Sequence, residues 1–289
     1  MATRYFCDTD CELWYTEVDK LGIETIKMPY ILDGVEYLYD FGRETDFEHF
    51  YKRLKEGAMP TTAALNEYDY TQYFEPIFAA GDDIFYIAFS SQMSGTFGSM
   101  HNAVNELKAK YPNRKFIYFD TLSISMGAGM QVYYAMQLKN NGASDEEVLA
   151  FLQDFTKHVE TLFSVDDLHH LKRGGRLSST AATIGTLLNL KPILTLNDEG
   201  KIKPIAKVNG LNLVMKYFVN EITKNAIDLD KYDVWIMHAD CLDRAEKLKS
   251  RIEEATGGKA NVRIILVGPV IGAHCGAGTL AVIFPSKHK

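Results

Sequence analysis

Short apolar runs alternate with helix-like segments along the first half of the chain, as they do in an open α/β sheet. Residues 83–89 (DIFYIAF) form a continuous apolar run that predicts a strand buried on both faces, and residues 116–119 (FIYF) repeat the pattern. Each run is followed by a polar, glycine-containing loop and a helical stretch, the first reaching Lys110 and the second about Asn140. We expect parallel strands, with both loops at strand carboxyl ends, where open α/β sheets bind ligands.

Two helical segments, near 125–140 and 145–157, close this half of the chain. Ser144 followed three residues later by Glu147 is the signature of a capping box, which predicts the start of the second helix. The domain boundary is placed after these helices, so the first domain is predicted to cover residues 1–157.

The second domain, residues 158–289, is predicted to be a mixed α/β unit. The Asn-Asp-Glu-Gly stretch at 197–200 is typical of a hairpin turn between two antiparallel strands. The fold class is therefore α/β with two domains, the first with a mainly parallel sheet and the second with a mixed, partly antiparallel one. Its other predicted elements are a strand at 161–165, helices near 211–226 and 242–255, and strands within YDVWIMHA and VRIILV.

Composition and charge exclude several classes of protein. The chain has 289 residues, 46% of them hydrophobic, and a formal net charge of −7, which argues against generic nucleic-acid binding. The sequence offers no signal-peptide pattern and no window of ~18 apolar residues, so we expect a cytoplasmic protein without stable membrane insertion. The four cysteines are scattered, and the spacing of Cys7 and Cys11 fits neither a zinc site nor a redox pair. No metal or cofactor is predicted.

Residues 168–196 (LHHLKRGGRLSSTAATIGTLLNLKPILTL) are the most informative stretch, and their pattern predicts a strand end, a glycine turn, a basic residue, a helix and then a strand that begins with Lys-Pro. Gly174 and Gly175 permit a tight turn that would deliver Arg173 and Arg176 to one place. Taken alone, the motif favours a structural turn with solvated arginines over a ligand site. A helix is expected next, capped by Ser178 or Ser179, with one face formed by Leu177, Ala181, Ile184 and Leu188.

The loop at residues 90–97 carries several hydroxyls, and Ser94 or Gly95 is predicted to start a helix. Free backbone N–H groups and the helix dipole would then form a site for a carboxylate or phosphate. The alternative is that Ser94 merely caps the helix. The loop hydroxyls of Thr61 and Thr62 are a weak signal that more often marks a turn.

Two further segments carry residues with candidate chemistry. Three glycines surround His274 in residues 272–278, a pattern that permits close backbone approach to a ligand but also suits a structural histidine. Asp120, at a predicted strand end, is interpreted as holding the neighbouring loop. Ser94 with a distant histidine and aspartate could form a hydrolase triad, yet the Gly-x-Ser-x-Gly elbow is lacking. A metal site at the successive residues 166, 167, 169 and 170 is disfavoured, because these residues do not share one face.

In this order, the segments resemble the DegV family over essentially the whole chain. The family motifs are matched by Asp8-Thr9, residues 61–65, Ser90 through Phe97, Asp120-Thr121, Lys172 through Leu177, residues 191–194, and His274 through Gly278. The sequence departs from the family at Ala63, Ala64 and Leu65, and at Cys275 and Ala277 beside His274. These departures bear on the acyl-chain preference and on partner docking.

The resemblance implies two α/β domains that bind a long-chain fatty acid, such as palmitate, stearate or oleate, between them. It implies a carrier without catalytic residues of its own, similar to the fatty-acid-binding component of a bacterial fatty acid kinase. A separate ATP-binding kinase would phosphorylate the carboxylate for phospholipid synthesis. The implied carboxylate-binding residues are Thr62, Ser94, Gly95 and Thr96, and those facing the phosphate or the partner are Arg173 and His274.

His274 is further expected to adjust its charge near neutral pH, as a histidine beside a phosphorylated head group could. Two alternatives from other classes remain open on the sequence. One is a lipid hydrolase that uses Ser94 with His274, and the other is a phosphosugar- or phosphate-binding module that uses the same Gly-Arg elements. The second alternative predicts no long apolar tunnel.

Overall fold

The computed structural model describes residues 2–177 and 190–287. It divides into two compact units, the first formed by 1–45 with 62–156 and the second by 46–61 with 157–289. The predicted helix that begins at Ser178 or Ser179 lies outside the described residues, as do Ala181, Ile184 and Leu188.

The described strands and helices alternate through most of the chain. The strands are β1 (Thr3–Asp8), β2 (Glu24–Ile26), β3 (Pro29–Leu32), β4 (Val35–Leu38), β5 (Thr61–Thr62), β6 (Asp83–Ala88), β7 (Phe116–Asp120), β8 (Val159–Ser164), β9 (Leu190–Leu196), β10 (Ile202–Asn209), β11 (Val234–His238), β12 (Val262–Leu266) and β13 (Leu280–Pro285). The α-helices are α1 (Tyr15–Leu21), α2 (Phe47–Lys55), α3 (Glu67–Ala79), α4 (Thr96–Lys110), α5 (Met126–Asn140), α6 (Asp145–Phe155), α7 (Leu168–Arg173), α8 (Leu211–Asn225), α9 (Leu242–Ala255) and α10 (Pro269–Cys275).

The first unit is built on a parallel sheet with the order β2-β1-β6-β7. All six residues of β6 are buried, which confirms the prediction of a strand covered on both faces. The carboxyl ends of β6 and β7 lead into α4 and α5, as the hydrophobic pattern predicted. The capping box at the start of α6 is confirmed, because Ser144 and Glu147 exchange both side-chain-to-backbone bonds.

The second unit contains a six-stranded mixed sheet with the order β10-β9-β8-β13-β11-β12. β11 and β12 are parallel, whereas β9 and β10 form the predicted antiparallel hairpin, with Leu196 opposite Ile202 across the turn. Apolar side chains of α8 and α9 cover the sheet and form one core. Its largest members include Phe218, Ile222, Leu248, Ile236 and Phe284. The fold class predicted from the sequence, α/β with a parallel and a mixed sheet, is therefore confirmed.

One segment from the first half of the chain packs with the second unit. Residues 46–61 belong to the second unit. The hydroxyl of Tyr51 on α2 donates to the Val267 carbonyl at 2.6 Å, and the Phe50 ring packs directly on Gly272. Both contacts join positions more than 200 residues apart, and no local pattern records such contacts.

Two local predictions are wrong. Residues 168–173, interpreted as a strand end, form the helix α7, which starts where the Asp167 carboxylate accepts a hydrogen bond from the His169 N–H at 2.8 Å. Thr61 and Thr62, interpreted as a loop, form the short strand β5, which pairs with β3. Among the helices that the structure describes, we find none with the length and apolar character to cross a membrane.

Candidate functional site

The loop after β6 is held by three backbone N–H groups that donate into the protein. Phe89 donates to Asp8 Oδ2 at 3.1 Å, Ser90 donates to the Ser123 carbonyl at 2.7 Å, and Ser91 donates to Asp120 Oδ2 at 3.2 Å. The second oxygen of Asp120 accepts from Leu122 N–H at 2.8 Å. The interpretation of Asp120 as the residue that holds this loop is therefore confirmed.

Helix α4 begins at Thr96, directly after Gly95 in the N-cap position. The prediction that Ser94 or Gly95 starts this helix is confirmed. Ser94 Oγ accepts a hydrogen bond from the Thr96 N–H at 3.2 Å, so Ser94 satisfies one of the helix's first backbone donors. Ser94 is half-buried and Gly95 is exposed, which leaves the start of α4 accessible to solvent.

Thr96 has a different environment, because its side chain is completely buried. Its hydroxyl donates to the Leu65 carbonyl at 3.2 Å and lies 2.9 Å from the Tyr70 hydroxyl. A threonine hydroxyl has one hydrogen, and here that hydrogen is used within the protein. Thr96 therefore ties the start of α4 to the segment between Thr62 and α3.

Thr62 itself is half-buried in β5, three residues before Leu65. The next residue, Ala63, donates its N–H to the Pro29 carbonyl of β3 at 3.5 Å, and Asn66 caps α3 with Asp69 in a capping box. This segment is thus fixed at both of its ends. The bond from Thr96 to Leu65 brings the predicted residues 62 and 94–96 into one region of the first unit.

Asp8 is a buried carboxylate that contacts the start of the loop after β6, and the sequence alone did not identify it as a residue that holds this loop. Asp8, the last residue of β1, is completely buried and accepts bonds from the Tyr86 hydroxyl at 3.0 Å and from two backbone N–H groups. Burial raises the pKa of Asp8 to about 7. In the sequence, Asp8 was marked only by the resemblance of Asp8-Thr9 to a family motif.

In the second unit, α7 places Arg173 at its last position and α10 places His274 in its last turn. The His274 ring packs on Gly174, since a Cβ at Gly174 would lie 2.2 Å from its Nδ1. The guanidinium of Arg173 lies 3.2 Å from His170 Nδ1. The predicted residues Arg173 and His274 therefore border the same glycine turn.

In the ligand-free protein, His274 does not change its charge near neutral pH. Burial, with smaller contributions from Arg176 and Arg173, lowers the pKa of His274 to about 4. The imidazole is neutral at physiological pH, because two neighbouring cations and a poorly solvated position both oppose its protonation. It can serve there as a hydrogen-bonding group and not as a charge.

The glycines around His274 make room for the protein's own side chains. A Cβ at Gly272 would lie 2.8 Å from the Phe50 ring, and one at Gly276 would lie 2.6 Å from His170 Cδ2. At Gly278 it would lie 2.1 Å from Asp166 Oδ2. At these three positions, the space that the missing Cβ leaves is therefore occupied by the protein's own side chains.

Asp166 is tied to two cations and not to a metal site. Its carboxylate accepts from Lys191 at 2.7 Å and from Arg244 at 2.9 Å, and Arg244 also donates to the Gly278 carbonyl at 3.0 Å. These bonds connect the segment before α7 to the segment after α10. Among residues 2–177 and 190–287, no group of three His, Cys, Asp or Glu side chains is placed to hold a metal ion.

Residues 5–287 match the model of the DegV family, which is described as uncharacterised. A DegV domain-containing protein of Clostridium perfringens is 38% identical over 284 residues, which cover 98% of this chain and 97% of that protein.

Two solved structures of fatty-acid-binding DegV proteins are similar to this chain. That of Thermus thermophilus has a TM-score of 0.86 at 28% identity and covers 99% of this chain and 100% of its own. That of Bacillus subtilis has a TM-score of 0.83 at 27% identity, with coverage of 99% and 100%. The match of the family model and the identity to the Clostridium perfringens protein, both over nearly the full length, establish that this chain belongs to the DegV family.

Proposed function

We propose that this protein binds a long-chain fatty acid in the cytoplasm and acts as a carrier for it. The observation that carries the proposal is the similarity over nearly the whole chain to the fatty-acid-binding DegV proteins of Thermus thermophilus and Bacillus subtilis. The start of α4 supports it, because the half-buried Ser94 hydroxyl accepts the Thr96 N–H with its oxygen and has a hydrogen of its own that it can donate to an anion.

The carboxylate of the fatty acid is held by Thr62, Ser94 and Gly95 in this proposal. An ionised carboxylate that leaves water needs hydrogen-bond donors, and hydroxyls with helix-terminal N–H groups supply them without a buried cation. Thr96 contributes indirectly, since its hydroxyl is bonded to Leu65 and keeps the segment that follows Thr62 against α4.

The hydrocarbon tail supplies most of the affinity. Burial of ~14 methylenes at ~0.8 kcal/mol each gives roughly 11 kcal/mol before the costs of ordering the chain. The head-group residues then need only to position the carboxylate. The sequence contains 16 Phe, 16 Tyr and 10 Met, which suit an apolar binding site as well as an ordinary core.

The carrier presents its ligand to a separate ATP-binding kinase, which forms an acyl phosphate used in phospholipid synthesis. Arg173 and His274 face the phosphate or the kinase in this proposal. Arg173 is exposed at the end of α7, where a guanidinium can pair with a phosphate. Neutral His274 contributes a hydrogen bond and leaves the net charge of the site to the arginines.

Native mass spectrometry of freshly purified protein tests the central claim. We expect one fatty acid per chain, and its mass, after denaturation and release, gives the preferred acyl length. A protein that carries no lipid and takes up no added fatty acid would contradict the carrier proposal. Hydrolysis of an activated ester by the protein alone, lost in Ser94→Ala, would support the hydrolase instead.

Variants separate the head-group residues from the partner-facing ones. Ser94→Ala combined with Thr62→Ala should weaken fatty acid retention, by roughly thirtyfold for the loss of two hydrogen bonds of about 1 kcal/mol each. Arg173→Ala should retain the fatty acid as the wild type does and reduce phosphorylation by the kinase. Equal retention in the double variant and the wild type would contradict the assignment of the carboxylate site.

A further inference from the structure

The buried carboxylate of Asp8 is connected directly to the loop proposed to bind the fatty acid head group. Its Oδ2 accepts from the Phe89 N–H at 3.1 Å and from the Tyr86 hydroxyl at 3.0 Å, and its Oδ1 accepts from the Asp10 N–H at 3.1 Å. Phe89 immediately precedes the serines of that loop. A change at Asp8 therefore acts on the peptide from which the loop begins.

The groups that surround Asp8 are acids, phenols and thiols. Tyr86 on β6 bonds to it. Burial raises the pKa values of Tyr70 on α3 and Tyr118 on β7, and the nearby Asp8 carboxylate contributes to both shifts. The turn after β1 adds Asp10 and Cys11. Helix α4 places His101 against the ring of Tyr118. Burial disfavours an ionised Asp8, whereas the hydrogen bonds that it accepts favour the ionised form, and a second negative charge nearby would shift this balance towards the protonated acid.

We propose that Asp8 is a positioning residue of the carboxylate site and that it is protonated when the fatty acid carboxylate is bound, so that molecules with an ionised Asp8 take up a proton from solvent on binding. The inference rests on the proposed function. The proton goes from water to an Asp8 oxygen, and no other bond is made or broken. Protonation removes the repulsion between the two carboxylates, and the remaining lone pairs of Asp8 keep the bonds from Phe89 and Tyr86.

Burial supports this link between ligand binding and protonation. It raises the pKa of Asp8 to about 7, so that Asp8 gains or loses its proton near physiological pH. A bound anion raises that pKa further. Fatty acid binding should consequently weaken as the pH rises through the neutral range, since more work is then needed to protonate Asp8.

Calorimetric titration with dodecanoate, kept below its micellar concentration, tests the inference. Titrations at pH 7 in two buffers with different enthalpies of ionisation give the number of protons taken up. We expect up to about half a proton per dodecanoate for the wild type, because Asp8 is then close to its titration midpoint. Asp8→Asn should take up none. Between pH 6 and pH 8 the wild-type affinity should fall several-fold, while that of Asp8→Asn stays level.

Asp120→Asn is the matched control, because Asp120 also accepts an N–H from this loop. Its proton uptake should equal that of the wild type, even where its affinity is lower. If Asp8→Asn does not fold, Tyr86→Phe replaces it. That variant removes a hydrogen bond to Asp8 and should shift the fall in affinity to higher pH.

Equal proton uptake by the wild type and Asp8→Asn would overturn the inference while leaving the carrier proposal intact. A Tyr86→Phe profile that coincides with the wild-type profile would overturn it as well. Absence of dodecanoate binding by the wild type at every pH would instead contradict the proposed function. The failures of the two proposals are thus distinguishable in one set of titrations.

Discussion

Two glycines inside helices of the first unit have opposite surroundings. Gly129 on α5 faces the backbone of the turn after β1, where an added Cβ would lie 2.2 Å from the Cys11 carbonyl oxygen. Gly98 on α4 is exposed, and an added Cβ would meet no atom of the described residues within 4 Å. The first glycine is needed for packing, whereas the second only weakens its helix.

We expect Gly129→Ala to lower the free energy of unfolding by about 1–3 kcal/mol, because the clash is with backbone and cannot be relieved by a rotamer change. Gly98→Ala, the matched control, should raise it by about 0.5–1 kcal/mol through helix propensity alone. Urea denaturation followed by circular dichroism measures both. A loss of stability in both variants would contradict the assignment of Gly129 to a packed position and of Gly98 to an open one.

The roles of single residues were predictable where the chemistry is local. Ser144 with Glu147 and Asp120 at a strand end act on backbone only a few residues away or on the adjacent loop, and both were identified correctly. The charge states of Asp8 and His274 were not predictable. Their pKa values depend on burial by segments that are distant in the sequence.

At the scale of elements, long segments with a clear hydrophobic period were predicted well, among them β6, α8 and the β9–β10 hairpin. The predictions for two short elements were wrong. Helix α7 has only six residues, too few for a helical period to stand out, and the strand β5 has only two. The strand β5 forms by pairing with β3, about 30 residues earlier, and a local sequence pattern gives no information about such a distant partner.

Helix α2 is held in the second unit by a bond that can be removed singly. Tyr51→Phe deletes the hydroxyl that donates to the Val267 carbonyl in a buried position, and we expect a loss of about 1–2 kcal/mol of unfolding free energy. Tyr68→Phe is the control, because Tyr68 on α3 is 70% exposed and should change stability by less than about 0.5 kcal/mol. Equal effects in urea denaturation would argue against this anchoring of α2.

At the scale of the molecule, the sequence predicts the fold class and the order of the motifs but not the grouping of segments. Residues 46–61 lie in the first half of the chain and fold with the second unit. Each unit brings its own candidate residues together. In the first unit the start of α4 contacts the segment that follows Thr62, and in the second unit Arg173 lies close to His274. The clustering within each unit follows from long-range contacts through Leu65 and Gly174.

Two buried groups give the ligand-free molecule opposite dependences of stability on pH. The folded state keeps the Asp8 proton up to about pH 7, while the unfolded chain loses it near 3.8, so this group makes stability fall as the pH rises between those values. His274 acts in the other direction. Its pKa falls from 6.5 to about 4 on folding, so its protonation favours the unfolded chain and stability rises with pH across that range.

Asp8→Asn should therefore gain stability relative to the wild type as the pH rises from 4 to 7, by at most about 4 kcal/mol at 1.36 kcal/mol per pKa unit. His274→Gln should lose stability relative to the wild type over the same interval, because it lacks the wild-type rise between pH 4 and 6.5. Urea denaturation of the ligand-free protein at several pH values measures both differences. Parallel profiles for the wild type and Asp8→Asn would show that Asp8 is ionised in the folded protein, and the burial argument for its proton would then fail.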